Sequence, residues 1–145
     1  MKRLTDSDTL LHRASATVLM NNPLSHDPEA VVQRQLDAFN ARDIDALLAV
    51  YAEDAQMFEH PSKLLASRSA AFRERFLARF QEPDLHASLL SRTVMGNIVV
   101  DHEEVARTFP EGPGKIRLLM IYEVQNGRIA KAWSISGAKT LDIKP

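Results

Sequence analysis

Glu59, His60 and Pro61 follow one another where a short alternating segment ends, and that order places a carboxylate and an imidazole at the rim of whatever the segment borders. An imidazole with an unperturbed pKa of ~6.5 accepts and returns protons near neutral pH better than a solvated carboxylate does. His60 is therefore the candidate general base, with Glu59 beside it. Gln35 sits on an otherwise apolar helical stripe, where its amide can donate to a substrate oxygen, and Tyr51 and Tyr122 can donate phenolic hydrogen bonds. Arg107 reaches inward if Val105, Arg107 and Phe109 share a face, and would then pair with an anionic substrate or with Glu59. Leu118 and Met120 alternate with Tyr122 and supply an apolar wall. Such a set suits proton transfer at an apolar site without a cofactor. Each residue also has a plainer reading: an exposed loop histidine, satisfied packing for Gln35 and the tyrosines, a surface ion pair for Arg107.

Composition removes other chemistries. The 145 residues carry 26% charged and 45% hydrophobic side chains and a formal net charge of -1, which offers no bulk attraction to nucleic acid or anionic lipid. With no cysteine there is neither thiol nucleophile nor thiolate metal site, and a reducing cytoplasm is the expected location. His60, His86 and His102, with Asp101, Glu103 and Glu104, are metal-ligand types, but no paired spacing brings them together, and no metal is expected. Neither a nucleophile elbow, a P-loop nor a dinucleotide fingerprint is present. The arginines of Arg68–Arg79 form a basic helix face without exposed aromatics between them, which reads as solvated surface. No apolar run approaches the ~20 residues of a membrane span.

The elements that must hold these groups are legible in order. Residues 1–26 read as an N-terminal extension in which Leu11, Ala14 and Val18 fit an extra short helix, and residues 27–145 read as one domain. Asp27-Pro28-Glu29 is a helix start, followed by Val32, Leu36 and Phe39 on one face with Gln35. After the break at Asn40–Asp43, Ile44, Leu47, Leu48 and Tyr51 mark a second helix. Ala55–Glu59 alternates as a strand that Pro61 stops. Ser67 or Ser69 opens a third helix with Phe72, Phe76 and Phe80 inside and Arg68, Arg73, Glu74, Arg75 and Arg79 mostly outside, and Pro83 closes it.

From Leu85 onward strand-length runs are divided by turn signals at Gly96-Asn97, Asp101-His102, Pro110–Gly114 and Asn126-Gly127. Three helices followed by a meander of long strands predict an α+β domain, with helices covering one face of a curved, mostly antiparallel sheet and a cone-shaped cavity between them. Ile116, Leu118, Met120 and Tyr122 share one face of their strand. On the next, Ala130, Ala132, Ser134 and Ser136 oppose Ile129, Lys131, Trp133 and Ile135. If the small residues face the cavity, Trp133, Ile135, Leu119 and Ile121 form an apolar outer patch that a homodimer through the sheet would cover.

The stretch VVQRQLDAFNARDIDALLAVYAEDA resembles the opening helices of ketosteroid isomerases, MFEHP resembles their strand that carries a catalytic aspartate before a proline, and NGRIAKAWSISGAKTLD is similar to their closing strand. The chain is thereby identified as resembling the nuclear transport factor 2-like superfamily over about Asp27–Asp142, including its SnoaL-like polyketide cyclases. The resemblance implies a hydrophobic small-molecule ligand and isomerase- or cyclase-like activity, or a noncatalytic binding module or structural dimerisation domain on the same fold. It puts the isomerase's general base on His60, its oxyanion-binding tyrosine on Gln35 and its protonated aspartate on Met120. A thioether cannot donate the hydrogen bond of a neutral carboxylic acid. The cyclases draw an acid from the sheet interior, and Lys115–Val124 offers no obvious counterpart.

Overall fold

The computed structural model describes residues 26–142, so the helix expected around Leu11, Ala14 and Val18 lies outside the described residues. Asp27 starts α1 (Pro28–Ala41) as its spacing predicts: the side chain accepts from the Ala30 amide at 3.3 Å, Pro28 occupies the first turn and Glu29 adds negative charge there. Arg42 closes the helix in the left-handed conformation, at φ 55°. Asp43 then caps α2 (Ile44–Ala49) through the Ala46 amide at 3.1 Å.

Tyr51 does not extend that second helix. It opens β1 (Tyr51–Glu59), which is longer than the expected strand and leads into a short strand, β2 (Lys63–Ser67), that no turn signal announces. The remaining elements are α3 (Arg68–Arg79), β3 (His86–Met95), β4 (Ile98–Phe109), β5 (Gly112–Gln125) and β6 (Arg128–Leu141). The third helix follows the first strand, in the expected order, with β2 inserted between them. One six-stranded sheet runs β2-β1-β6-β5-β4-β3, and it is mixed, because β1 and β6 are parallel while the other neighbours are antiparallel.

The turn expected at Asp101-His102 is absent. β4 runs unbroken through both residues, because Val99, Asp101, Glu103 and Val105 alternate as one buried face and the strand pairs with β3 on one side and β5 on the other. The turn at Asn126-Gly127 does form, with positive φ of 53° and 76° at its two residues, as a two-residue hairpin loop requires.

The core lies between the helices and the inner sheet face. Val31, Val32, Leu47, Phe72, Tyr122 and Ile129 are fully or almost fully buried there. Ile129 is a correction to strict alternation: the register shifts between Glu123 and Val124 and turns Ile129 inward, away from the Trp133 face. Further along β6 the alternation holds, with Ser134 and Ser136 inside and Trp133 stacked on Phe58 outside (ring centroids 5.8 Å, interplanar angle 18°). Leu119 and Ile135 stand exposed on that outer surface. No helix among the described residues is long and apolar enough to cross a membrane.

Candidate active site

A cavity of about 180 Å³ lies between α1, α3 and the inner faces of β4, β5 and β6. That is smaller than the ~300–1,000 Å³ of a site for a drug-sized ligand, so it encloses a ring or a short chain and no more. Leu36, Phe39, Phe76, Ile116, Leu118 and Met120 form its apolar walls, and Ser134 and Ser136 contribute small ones. The polar lining consists of two groups on different sides.

The inner group is built on Gln35. Its side chain, 6% exposed, accepts from the Tyr122 hydroxyl and donates to the Tyr51 hydroxyl, both at 3.3 Å. Position 35 faces inward because it shares the α1 stripe with Val31, Val32 and Leu36. Tyr51 is held by the Phe72 ring, edge-on at 4.9 Å between centroids. Since Tyr51 accepts from Gln35, its own O–H proton is left to donate, and among the described residues no side chain takes it. Burial, opposed by the Gln35 hydrogen bond and reinforced by the Glu103 charge, pushes the Tyr51 phenol well above its usual range. Burial first, then the Glu103 charge, does the same to Tyr122. Both phenols therefore remain protonated donors throughout the physiological range.

Glu103 completes this group. It projects from β4 into the cavity with 5% of its surface exposed, and among the described residues no side chain hydrogen-bonds its carboxyl. Removal from water, and then the charge of Asp101 two residues away on the same face, push it up to about 7 against the pull of Arg92. Asp101 is fully buried and held by a bidentate pair with Arg92 (2.7 and 2.9 Å), whose guanidinium also donates to Gln33 on α1 at 2.8 Å. A carboxyl poised near 7, aimed at an apolar cavity beside three hydrogen-bonding groups, has the properties of a general acid–base residue.

The outer group is cationic. Arg107 does line the cavity, as its alternation with Val105 predicts, but it pairs with Glu82 at 2.7 and 2.8 Å and not with Glu59. Arg75 and Arg79 also line it, which corrects their assignment to solvated surface: the inward stripe of α3 is wide enough to carry the arginines that flank Phe76 and Phe80.

Gln35, Tyr51, Tyr122, Leu118, Met120 and Arg107 are thus brought together, whereas Glu59 and His60 are exposed at the end of β1 and do not line the cavity. The His60 amide donates to the Ser134 carbonyl at 2.9 Å, which ties the turn to β6 and leaves the imidazole outside. Glu103 is the site residue that the sequence reading passed over. The same parity that turns Val105 and Arg107 inward reaches Glu103 two residues earlier, once no turn is placed at Asp101-His102.

A profile of the SnoaL-like domain family matches residues 32–132, most of the chain. No curated protein sequence matches. Among solved structures the fold is similar to an uncharacterised cystatin-fold protein from Novosphingobium aromaticivorans (19% identity, 72% of this chain and 94% of that one, TM-score 0.67). It is also similar to a candidate polyketide cyclase from Sinorhizobium meliloti (24% identity, 72% and 93%, TM-score 0.61) and a candidate ketosteroid isomerase from Kribbella flavida (16%, 81% and 82%, TM-score 0.65). At these identities the likeness is one of fold. The profile match goes further, and the chain belongs to the SnoaL-like domain family.

Proposed function

We propose that the protein is a cofactor-free proton-transfer enzyme, an isomerase or cyclase acting on a compact hydrophobic carbonyl compound, with Glu103 in the role first assigned to His60. The observation that carries this reading is the buried carboxyl of Glu103, near 7, facing the same cavity as the Tyr51–Gln35–Tyr122 cluster. In its ionised form Glu103 removes a proton from the carbon next to a carbonyl. The C–H electron pair moves into the carbonyl, giving an enolate whose oxygen is stabilised by the O–H of Tyr51. Glu103, now a carboxylic acid, returns the proton either to the γ-carbon, where a β,γ double bond in the substrate has made the enolate a dienolate and protonation there completes an isomerisation, or to the alkoxide formed when the enolate carbon attacks a second carbonyl, which closes a ring.

The missing acid at Met120 does not count against this chemistry. Asp101 stands across the ladder from Met120 and Glu103 across from Leu118, so the carboxyls come from the neighbouring strand. The SnoaL-like family match and fold neighbours named as cyclase and isomerase support the same class of reaction. The test is a screen of small cyclic ketones by thermal shift, followed by proton–deuterium exchange of each binder in the wild type and in Glu103→Gln.

A further inference from the structure

Arg75 and Arg79 stand one turn apart on α3 and both line the cavity. Like charges at this spacing are mildly unfavourable in a helix, so a facing anion would be expected to compensate. Arg79 has one, Glu82, at 3.2 Å. That single carboxylate is already committed: it receives both arms of Arg107 and the Thr108 amide at 2.9 Å. Arg75 has none among the described residues. Glu74, its neighbour on the adjoining surface groove, makes no ion pair with either arginine among the described residues. Three guanidinium groups therefore border the cavity, two of them share Glu82, and among the described residues Glu103 is the one carboxyl in the lining. Burial, and then repulsion by Arg79, hold the Arg75 guanidinium below its usual range, as expected of a cation without a counterion.

The geometry of the opening adds direction. Leu65, Arg75 and Arg79 line both the cavity and the groove along the outside of α3. A ligand too long for 180 Å³ that continues into this groove brings its distal end to Arg75.

We infer that the substrate carries a carboxylate at the end remote from its reacting carbonyl, and that Arg75 binds it. A guanidinium fork matches a carboxylate in a bidentate pair, and the half-buried setting weakens screening by salt. The inference rests on the proton-transfer reading for the position of the reacting carbonyl.

The test uses cyclohexanone bearing a propanoate arm on its α-carbon, and the methyl ester of that compound, in titration calorimetry with the full chain. The acid should bind the wild type about tenfold more tightly than the ester. Arg75→Gln should bring the two to equal affinity, Arg75→Lys should retain part of the preference, and Arg73→Gln should leave it intact. Arg73 lies on the same helix but pairs with Asp45 at the surface, so it reports on general charge. No binding of the acid, equal affinity of acid and ester in the wild type, or a preference that survives Arg75→Gln would overturn the inference. Failure of the proton-transfer reading looks different: the acid preference would persist while exchange of the ring protons ignored Glu103→Gln.

Discussion

The hydroxyl of Tyr122 on β5 donates to the side-chain carbonyl of Gln35 on α1 across 3.3 Å, in a place where both residues are buried. Gln35 passes the polarisation on to Tyr51, and the three residues link a helix and two strands around one cavity. Replacing Gln35 with Leu keeps the volume but strands two buried phenols. A loss of about 2 kcal/mol in urea unfolding is expected, together with an exchange rate lowered about 10- to 100-fold as Tyr51 loses its orientation. Unchanged stability would mean that the bridge does not form in solution.

Glu103 makes stability depend on pH in a defined sense. Its folded pKa of about 7 lies above the ordinary 4.5, so below 4.5 both states hold the proton and nothing is lost. As pH rises from 4.5 through 7 the unfolded chain releases that proton more readily, and the folded state loses stability until the effect levels off. Glu103→Gln should therefore be more stable than the wild type at pH 8, by on the order of 3 kcal/mol, with the difference shrinking toward pH 4.5. Unfolding of both proteins across that range checks it, and a pH-independent difference would contradict the assigned burial.

Asp101 contributes to the raised value of Glu103, while Arg92 opposes it. Asp101→Asn removes the like charge and frees Arg92, so the midpoint at which exchange activity appears should move down by about one pH unit. The midpoint is read from rate against pH for one binder, with the fold checked by circular dichroism. A midpoint that stayed in place would detach the activity from Glu103.

Trp133 lies flat on Phe58 on the outer sheet face, beside Leu119 and Ile135, which are 36% and 37% exposed. We propose that a second copy covers this apolar surface. Sedimentation should then give twice the mass of the 145-residue chain, and Trp133→Glu should give the monomer mass. A monomeric wild type would remove the homodimer.

Much of this architecture was legible in the chain. Asp27-Pro28, Asp43 and Asn126-Gly127 act locally, through caps and turn conformations that two or three residues determine, and each does in the structure what its type predicts. Gln35 and Tyr122 came out through periodicity, because one face of α1 and one face of β5 are otherwise apolar. What escaped depends on partners distant in sequence. Asp101-His102 looks like a turn until β3 and β5 supply ladders on both sides, and a buried acid pair at Asp101 and Glu103 is tolerable only because Arg92 arrives from β3. Asn40 reads as a helix breaker, yet its amide pairs with both backbone groups of Ala87 at 2.9 and 2.8 Å and seats the start of β3. Arg75 follows the polar pattern of a surface helix, and nothing in that pattern says that the cavity opens beside it.

The most direct measurement is proton–deuterium exchange at the α-carbon of a bound cyclic ketone, followed by NMR in the wild type, Glu103→Gln and His60→Ala. The account predicts exchange with a midpoint near pH 7, reduced at least about a hundredfold by Glu103→Gln and unaltered by His60→Ala. Exchange that survives Glu103→Gln, or disappears with His60, would contradict it.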